Sequence, residues 1–315
     1  MTTTAARPAH PINPTQHEGP AYLLNAPFSF STEVANNIWM EEMPLDERRP
    51  DARKAMAQFL RFYGLVASES LVYLLPTPRP DGLQDLVFTA NMGVVLEHLP
   101  ERDTVVISNF TSAPRTGETE IGVRFFESMG YRVVVPETKF EGEAELKHLY
   151  DDVYIGGYGL RSQRETYEWL ERTYDMTVLK LAETDPYLYH LDCTVFPITK
   201  EQTLVCTAKY EPEELSLLEK HTEVIDVSSA SAMAGLCNSM RMNNLIVNAS
   251  DIHDLRAGTE DYQMEVAKNR ELEDIAGRLG FEVAHINLSE FTKGGALLSC
   301  MVMHLNRYSY EFSLL

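Results

Sequence analysis

The stretch DTVVISNFTSAPRTGETEIGVRFFESMGYRVVVPE, residues 103–137, decides the fold. Its ends are short runs of Val, Ile and Thr, the composition of buried strands. Between them EIGVRFFESMGY reads as a helix stopped by Gly130. Working outward, the same strand, helix, strand order returns. AYLLNAPFSF predicts a strand and residues 51–64 a helix, with Ala55, Phe59, Leu60 and Tyr63 at helical spacing and Gly64 as its stop; SLVYLLPT then predicts a strand closed by the TPRPDG turn. DLVFTA and GVVLEHL add strands before the opening stretch. VYIGGYG, a helix over 164–174 and TVLKLAE form a third unit; TLVCTA, a helix over 212–221 and TEVIDVS a fourth; LIVNAS, a helix over 261–280 and FEVAHINL a fifth. Five units in 315 residues suggest a repeat of roughly 63 residues. The case rests on element order, not on identity between units, and a doubly wound sheet alternates in the same way. No GxGxxG or P-loop supplies the usual nucleotide site of such a sheet.

Composition narrows the function. A formal charge of −20 with pI near 4.8 argues against nucleic acid, which needs a clustered basic surface, and would favour a cationic ligand. No apolar run reaches the roughly 18–20 residues of a membrane span, and MTTTAARPAHPINPTQHEGP lacks the apolar core of a secretory signal. The expectation is a cytoplasmic protein with a mobile tail over residues 1–19 and one domain over 20–315. Cys193, Cys206, Cys237 and Cys300 show no CxxC pair and are expected as thiols. Association of copies of the chain stays open.

Four segments carry reactive side chains. In DPYLYHLDCTVFPI, a strand-like run, His190 and Asp192 would share one face and Cys193 the other. A carboxylate beside a histidine serves catalysis, cation binding or plain surface polarity equally; no further ligands complete a metal set. Cys300 follows the Gly294–Gly295 turn in what reads as a buried strand, where cysteine is ordinarily a core residue. KFEGEAEL holds Glu141, Glu143 and Glu145, a pattern usual in a solvated loop, although Gly142 allows a tight turn that would aim Glu141 inward. QDLVFTANMG contributes Asp85 and Asn91, the latter in a position typical of turn chemistry.

Taken together, NAPFSFSTEVANNIWM, QDLVFTAN, FEGEAEL, GYGLRSQRETYEWL, YHLDC, CNSM and NLSEFTKGGALLSC occur in an order that resembles the guanidino-group-modifying enzymes, the pentein superfamily of arginine deiminases, dimethylarginine dimethylaminohydrolases and amidinotransferases. The resemblance covers about residues 20–315 and looks strongest toward the arginine dihydrolases. It implies an α/β fold, a five-bladed propeller with a central site, and no cofactor or metal. It also implies that Cys300 is the nucleophile, His190 the general acid and base, and that Glu141 and Asp192 hold the guanidinium. Asn91 matches an asparagine of the dihydrolase branch, Asn37 that of its INPWM-type segment, and Arg161 the arginine of its GYGFR-type segment, which would take a substrate carboxylate. Three departures stand out: FEGEAE replaces FEGxGD, with Ala144 for glycine and Glu145 for aspartate; NNIWM lacks the proline; the glycine-rich loop before Cys300 is shortened to KGGALLS. The implied reaction is hydrolysis of arginine or a similar guanidine through a covalent thiouronium, to citrulline or ornithine. Amidino transfer, dimethylarginine hydrolysis and a non-catalytic pentein that binds a partner are the alternatives.

Overall fold

The structure, a computed structural model, describes residues 13–79 and 81–312. Residues 1–12 of the expected tail, and Pro80 of the TPRPDG turn, lie outside the described residues. The remainder of that expected tail is not loose: the buried Asn13 donates from its side-chain amide to Met129 O and caps a turn over Pro14–Gln16.

Five three-stranded sheets form five blades. The first has β1 (Ala21–Leu24), then α1 (Ile38–Glu42), α2 (Leu45–Arg48), α3 (Ala52–Val66) and β2 (Leu71–Leu74). The second has β3 (Gly93–Val95), β4 (Thr104–Ile107), α4 (Glu118–Ser128) and β5 (Arg132–Val134). The third has β6 (Leu146–Tyr150), β7 (Val153–Tyr158), α5 (Arg164–Tyr174) and β8 (Thr177–Ala182). The fourth has β9 (Val195–Pro197), β10 (Gln202–Val205), α6 (Pro212–Leu218) and β11 (Glu223–Asp226). The fifth has α7 (Ser229–Met233), β12 (Ser239–Met242), β13 (Leu245–Ala249), α8 (Glu260–Arg278) and β14 (Glu282–Ile286). In each blade a helix links the middle strand to a parallel neighbour, and the third strand is antiparallel. In the first blade that third strand is β15 (Met303–His304), which returns to pair with β1 as Tyr22↔His304 and Leu23↔Met303. Five blades are therefore present as expected, but their inner strands begin unevenly, so no constant period exists to be found.

The cores lie between blades. Strand β1 shows why: Tyr22 and Leu24 pack with Met240, Val247 and Phe62 on the fifth-blade side, while Ala21 and Leu23 pack with Val105, Ile107 and Phe126 on the second-blade side. Alternate residues of one strand thus feed two seams. The other three seams join the second and third, third and fourth, and fourth and fifth blades. Each buried Leu or Phe contributes roughly 1.5–3 kcal/mol, so the ring is held by its seams; a three-stranded sheet alone would be marginal.

Several local expectations are corrected. DLVFTA is a turn leading into a 3-10 turn over Thr89–Asn91, not a strand. HLDC is likewise a 3-10 turn over Leu191–Cys193, and Cys300 lies in another over Ser299–Met301. These apolar runs read as strands because they are buried on all sides and so carry no amphipathic period. Gly64 does not stop α3, which continues to Val66, because Gly64 does not take the left-handed conformation of a helix-ending glycine. The strand at AYLLNAPFSF ends at Leu24.

Candidate active site

The turns that replaced the expected strands meet at the hub. Asn91, Glu141, His190, Asp192 and Cys300 all stand in, or immediately before, a 3-10 turn that enters the inner strand of a blade. Burial is nearly complete, with Glu141 and Asp192 wholly covered and His190 and Cys300 each 5% exposed. The solvated loop expected of KFEGEAEL is therefore corrected: all three glutamates are buried. Gly142 makes this possible. Its φ of +69° turns the chain sharply, and a Cβ there would stand 2.6 Å from Ala90 O and 2.8 Å from Gly93 N.

His190 Nε2 lies 2.7 Å from Glu141 Oε2 and 3.3 Å from Asn91 Nδ2. Glu141 Oε1 accepts from Thr111 N at 3.0 Å, and Arg161 Nη1 approaches it at 4.0 Å. Burial alone would raise the Glu141 carboxyl, but the hydrogen bond and charge of His190, with Arg161 and Arg115 behind, hold it at about 2. Glu141 is thus a fixed anion that orients the imidazole.

Cys300 Sγ lies 3.6 Å from Asp192 Oδ2 and accepts from Asn238 Nδ2 at 3.5 Å. Ser299 Oγ donates to the same Asp192 oxygen at 2.5 Å, and Ser299 N donates to Asn238 Oδ1 at 2.8 Å. Burial first, and then the Asp192 charge, push the Cys300 thiol up to about 12. Without a cation beside it the sulfur keeps its proton.

Asn36, Asn37, Asp85, Asn91, Glu141, Arg161, Tyr189, His190 and Cys300 converge on a space of about 20 Å³, room for one water. On the other side of the thiol a cavity of about 270 Å³ opens past Trp39 and Tyr187. Cys193 lines this cavity, so its expected place on an opposite, packing face is corrected: in the turn it faces the site side.

All seven expected site residues come together, though two are already engaged. Arg161 donates from Nη2 to Asn36 O at 2.7 Å and stacks on the Tyr189 ring at 4.8 Å. Asn37 has both polar atoms occupied, Oδ1 capping α1 through Met40 N and Nδ2 donating to Gly294 O at 2.9 Å. It fastens the wall of the site. Sequence reasoning named Asp85 without giving it a role and passed over Asn238, Ser299 and Tyr189. Asp85 is 2% exposed, its Oδ2 accepts from Asn36 Nδ2 at 2.6 Å, and its Oδ1 has no hydrogen-bond partner among the described residues. The signals were there in QDLVFTAN and CNSM, but no single sequence shows which polar residue of a turn faces inward.

Three hub turns bring carboxylates, an imidazole and a thiol together, groups able to accept hydrogen bonds from a planar cation and to form a covalent bond. No family model matches the chain. It is 26% identical over 290 residues to the bifunctional arginine dihydrolase/ornithine cyclodeaminase of Nostoc sp., covering 90% of this chain and 37% of that protein. It is 27% identical over 293 residues to the N(G),N(G)-dimethylarginine dimethylaminohydrolase of Mycobacterium tuberculosis, covering 90% of this chain and 85% of that protein. Among solved structures, the substrate-bound N-terminal domain of ArgZ, a cyanobacterial arginine dihydrolase, superposes with a TM-score of 0.78 at 23% identity, covering 91% of this chain and 98% of that one. The chain therefore shares its fold with solved arginine dihydrolase domains, and the proteins it resembles in sequence include arginine dihydrolases and a dimethylarginine dimethylaminohydrolase. It spans little more than a third of the length of the Nostoc protein.

Proposed function

We propose that this chain hydrolyses the guanidinium group of arginine or an arginine-like compound through a covalent intermediate on Cys300. The observation that carries the reading is that the His190–Glu141 pair and Cys300 line one enclosed space, with the Asp192 carboxylate against the sulfur. A guanidinium placed there meets the Asp192 and Glu141 carboxylates as charge-assisted acceptors. Asp85, through its free Oδ1, offers a further one. The incoming cation offsets the Asp192 charge that holds the thiol protonated, and the thiol proton is lost to solvent.

The thiolate then attacks the guanidinium carbon. His190, oriented by Glu141, gives a proton to the departing nitrogen, so ammonia leaves and an S-alkylthiouronium remains. Water entering beside the sulfur gives a proton back to His190, the C–S bond breaks, and citrulline and the thiol are restored. A second round on the bound ureido group yields ornithine, carbon dioxide and a second ammonia. A variant of the ArgZ domain has been solved covalently bound to a reaction intermediate, which supports a covalent course in this fold. Asn91, beside His190 and Glu141, supports the two-round reading. Arg161 takes the substrate carboxylate by exchanging its bond to Asn36 O.

Incubation with arginine, agmatine, methylarginines and guanidinoacetate, followed by assay of ammonia, citrulline, ornithine and urea, tests the reading. Turnover of none of them rejects it. Asn91→Asp should change the ornithine-to-citrulline ratio; an unchanged ratio removes Asn91 from that choice.

A further inference from the structure

Beneath the 190–193 turn lie two carboxyl groups that the reaction above does not use. Glu145 is fully buried and Glu183, at the end of β8, is 6% exposed. They meet against Gly157, where a Cβ would stand 2.7 Å from Glu183 Oε1 and 2.8 Å from Glu145 Oε2. No side chain larger than glycine fits over the pair. Glu145 Oε2 accepts from Leu191 N at 3.2 Å, the amide between His190 and Asp192. The other Glu145 oxygen and both Glu183 oxygens are buried with no donor among the described residues. Two bare carboxylates in contact, three of their oxygens unpaired and without a cation between them, are not a state a buried site sustains. One proton placed between them turns the clash into a hydrogen bond.

We propose that Glu145 and Glu183 share one proton and, through the bond from Leu191 N, hold the 190–193 turn so that His190 and Asp192 face the guanidinium, which makes both glutamates positioning residues. The inference rests on the hydrolase reading for its catalytic consequence, not for the shared proton. Glu145 is one methylene longer than the aspartate of the family's FEGxGD pattern, and that longer side chain is the one that reaches both Leu191 N and Glu183.

The groups facing the pair explain its pH range. Glu141 shares a loop with Glu145, Asp192 and Cys193 face it from the turn above, Arg161 from the loop after β7, Tyr167 from α5, and Tyr210 from the segment before α6. Burial, then the Asp192 and Glu141 charges, push the Glu183 carboxyl up to about 8, while its bond with Glu145 and the Arg161 charge oppose them. Glu145 is raised as well, by burial first and then by the charge and hydrogen bond of Glu183, so a proton stays on the pair at neutral pH and Glu145 still holds one when Glu183 has lost its own; the dianion forms only further on the alkaline side.

The test uses the full chain with glutamate carboxyl carbons labelled for infrared spectroscopy. The wild type should show a protonated-carboxyl stretch that is missing in Glu183→Gln and fades in the wild type on the alkaline side. Spectra that coincide for wild type and Glu183→Gln across the pH series overturn the shared proton. Positioning is read first without turnover: the His190 ring resonances should shift in Glu183→Ala and stay in place in Glu183→Gln, where an amide keeps the link. It is read again with whichever guanidine the wild type turns over. Glu183→Ala should lower kcat roughly 10- to 100-fold with a smaller change in KM, and Glu183→Gln should restore most of it and lose the alkaline fall that comes from the pair. A Glu183→Gln variant as impaired as Glu183→Ala, or with an unmoved alkaline limb, overturns positioning. If the wild type turns over no guanidine, the hydrolase reading fails by itself, and the infrared and resonance measurements still decide the pair.

Discussion

His190 Nε2 and Glu141 Oε2 are 2.7 Å apart in space and their residues are 49 apart in sequence. Each arrives on a separate hub turn, so the pair exists only when the third and fourth blades are docked. Removing the charge from one partner should therefore be a clean probe of chemistry. Glu141→Gln keeps the shape and should lower kcat about 100-fold or more with a smaller effect on KM, measured by steady-state ammonia release. Activity within a few-fold of wild type would remove Glu141 from its assigned role.

Asp192→Asn should make the free thiol more reactive while making the enzyme worse. The Asp192 charge is the second cause, after burial, of the high Cys300 pKa, so its loss lowers that pKa and raises the thiolate fraction at a given pH. The alkylation rate of Cys300 by iodoacetamide, followed by intact mass across pH, should rise at mildly alkaline pH. KM for the guanidine should rise too, because one of its anchoring carboxylates is gone.

Gly142→Ala should destabilise the fold by about 2–4 kcal/mol through strain at a positive φ and collision with backbone. The Ala90 carbonyl that its Cβ would meet belongs to the turn carrying Asn91. Urea unfolding gives the stability change. A loss below 0.5 kcal/mol, about the scatter of ordinary surface substitutions, would mean that the turn relaxes freely.

Stability should fall steeply in acid. Burial would raise the Glu143 carboxyl, but His304, whose Nδ1 lies 2.6 Å from Glu143 Oε1, with Lys147 and Arg307, holds it at about 2. A carboxyl lowered on folding binds fewer protons folded than unfolded. Its stabilisation is thus complete above the ordinary value of 4.5 and is lost as pH falls toward about 2. Glu143→Gln should be less stable at neutral pH and show a flatter decline below pH 4.5 in thermal melts; parallel melts for the two proteins would contradict the assignment.

His190→Ala should abolish ammonia release, because His190 serves both the departing nitrogen and the resolving water. The covalent course is read on the wild type: intact mass after acid quenching during turnover should show the thiouronium on Cys300, and Cys300→Ser should be inactive; a Cys300→Ser variant that still releases ammonia at the wild-type rate would overturn covalent catalysis.

The helices and outer strands were legible because each carries a period or a stop signal. Residues 164–174 form a helix with the expected limits, and the opening stretch gives β4, α4 and β5. The hub was misread as strands for a physical reason. Runs such as DLVFTA and HLDC are buried on all sides, their polar residues included, and nothing local distinguishes a short buried strand from a buried turn. Glu143 and Glu145 looked solvated because their partners, His304 and Glu183, lie far away in sequence. The order of the motifs singled out Glu141, His190 and Cys300, and the structure brings the three together at one enclosed space although the local conformation of their segments was misjudged.

Cys300 stands three residues before β15, the strand that closes the ring on β1. The thiol is therefore delivered by the latch. On the proposed reading, a chain whose last strand has not yet paired has no reactive centre, so closing the ring and assembling the site are one event, and a half-formed ring would not attack a free guanidine in its surroundings.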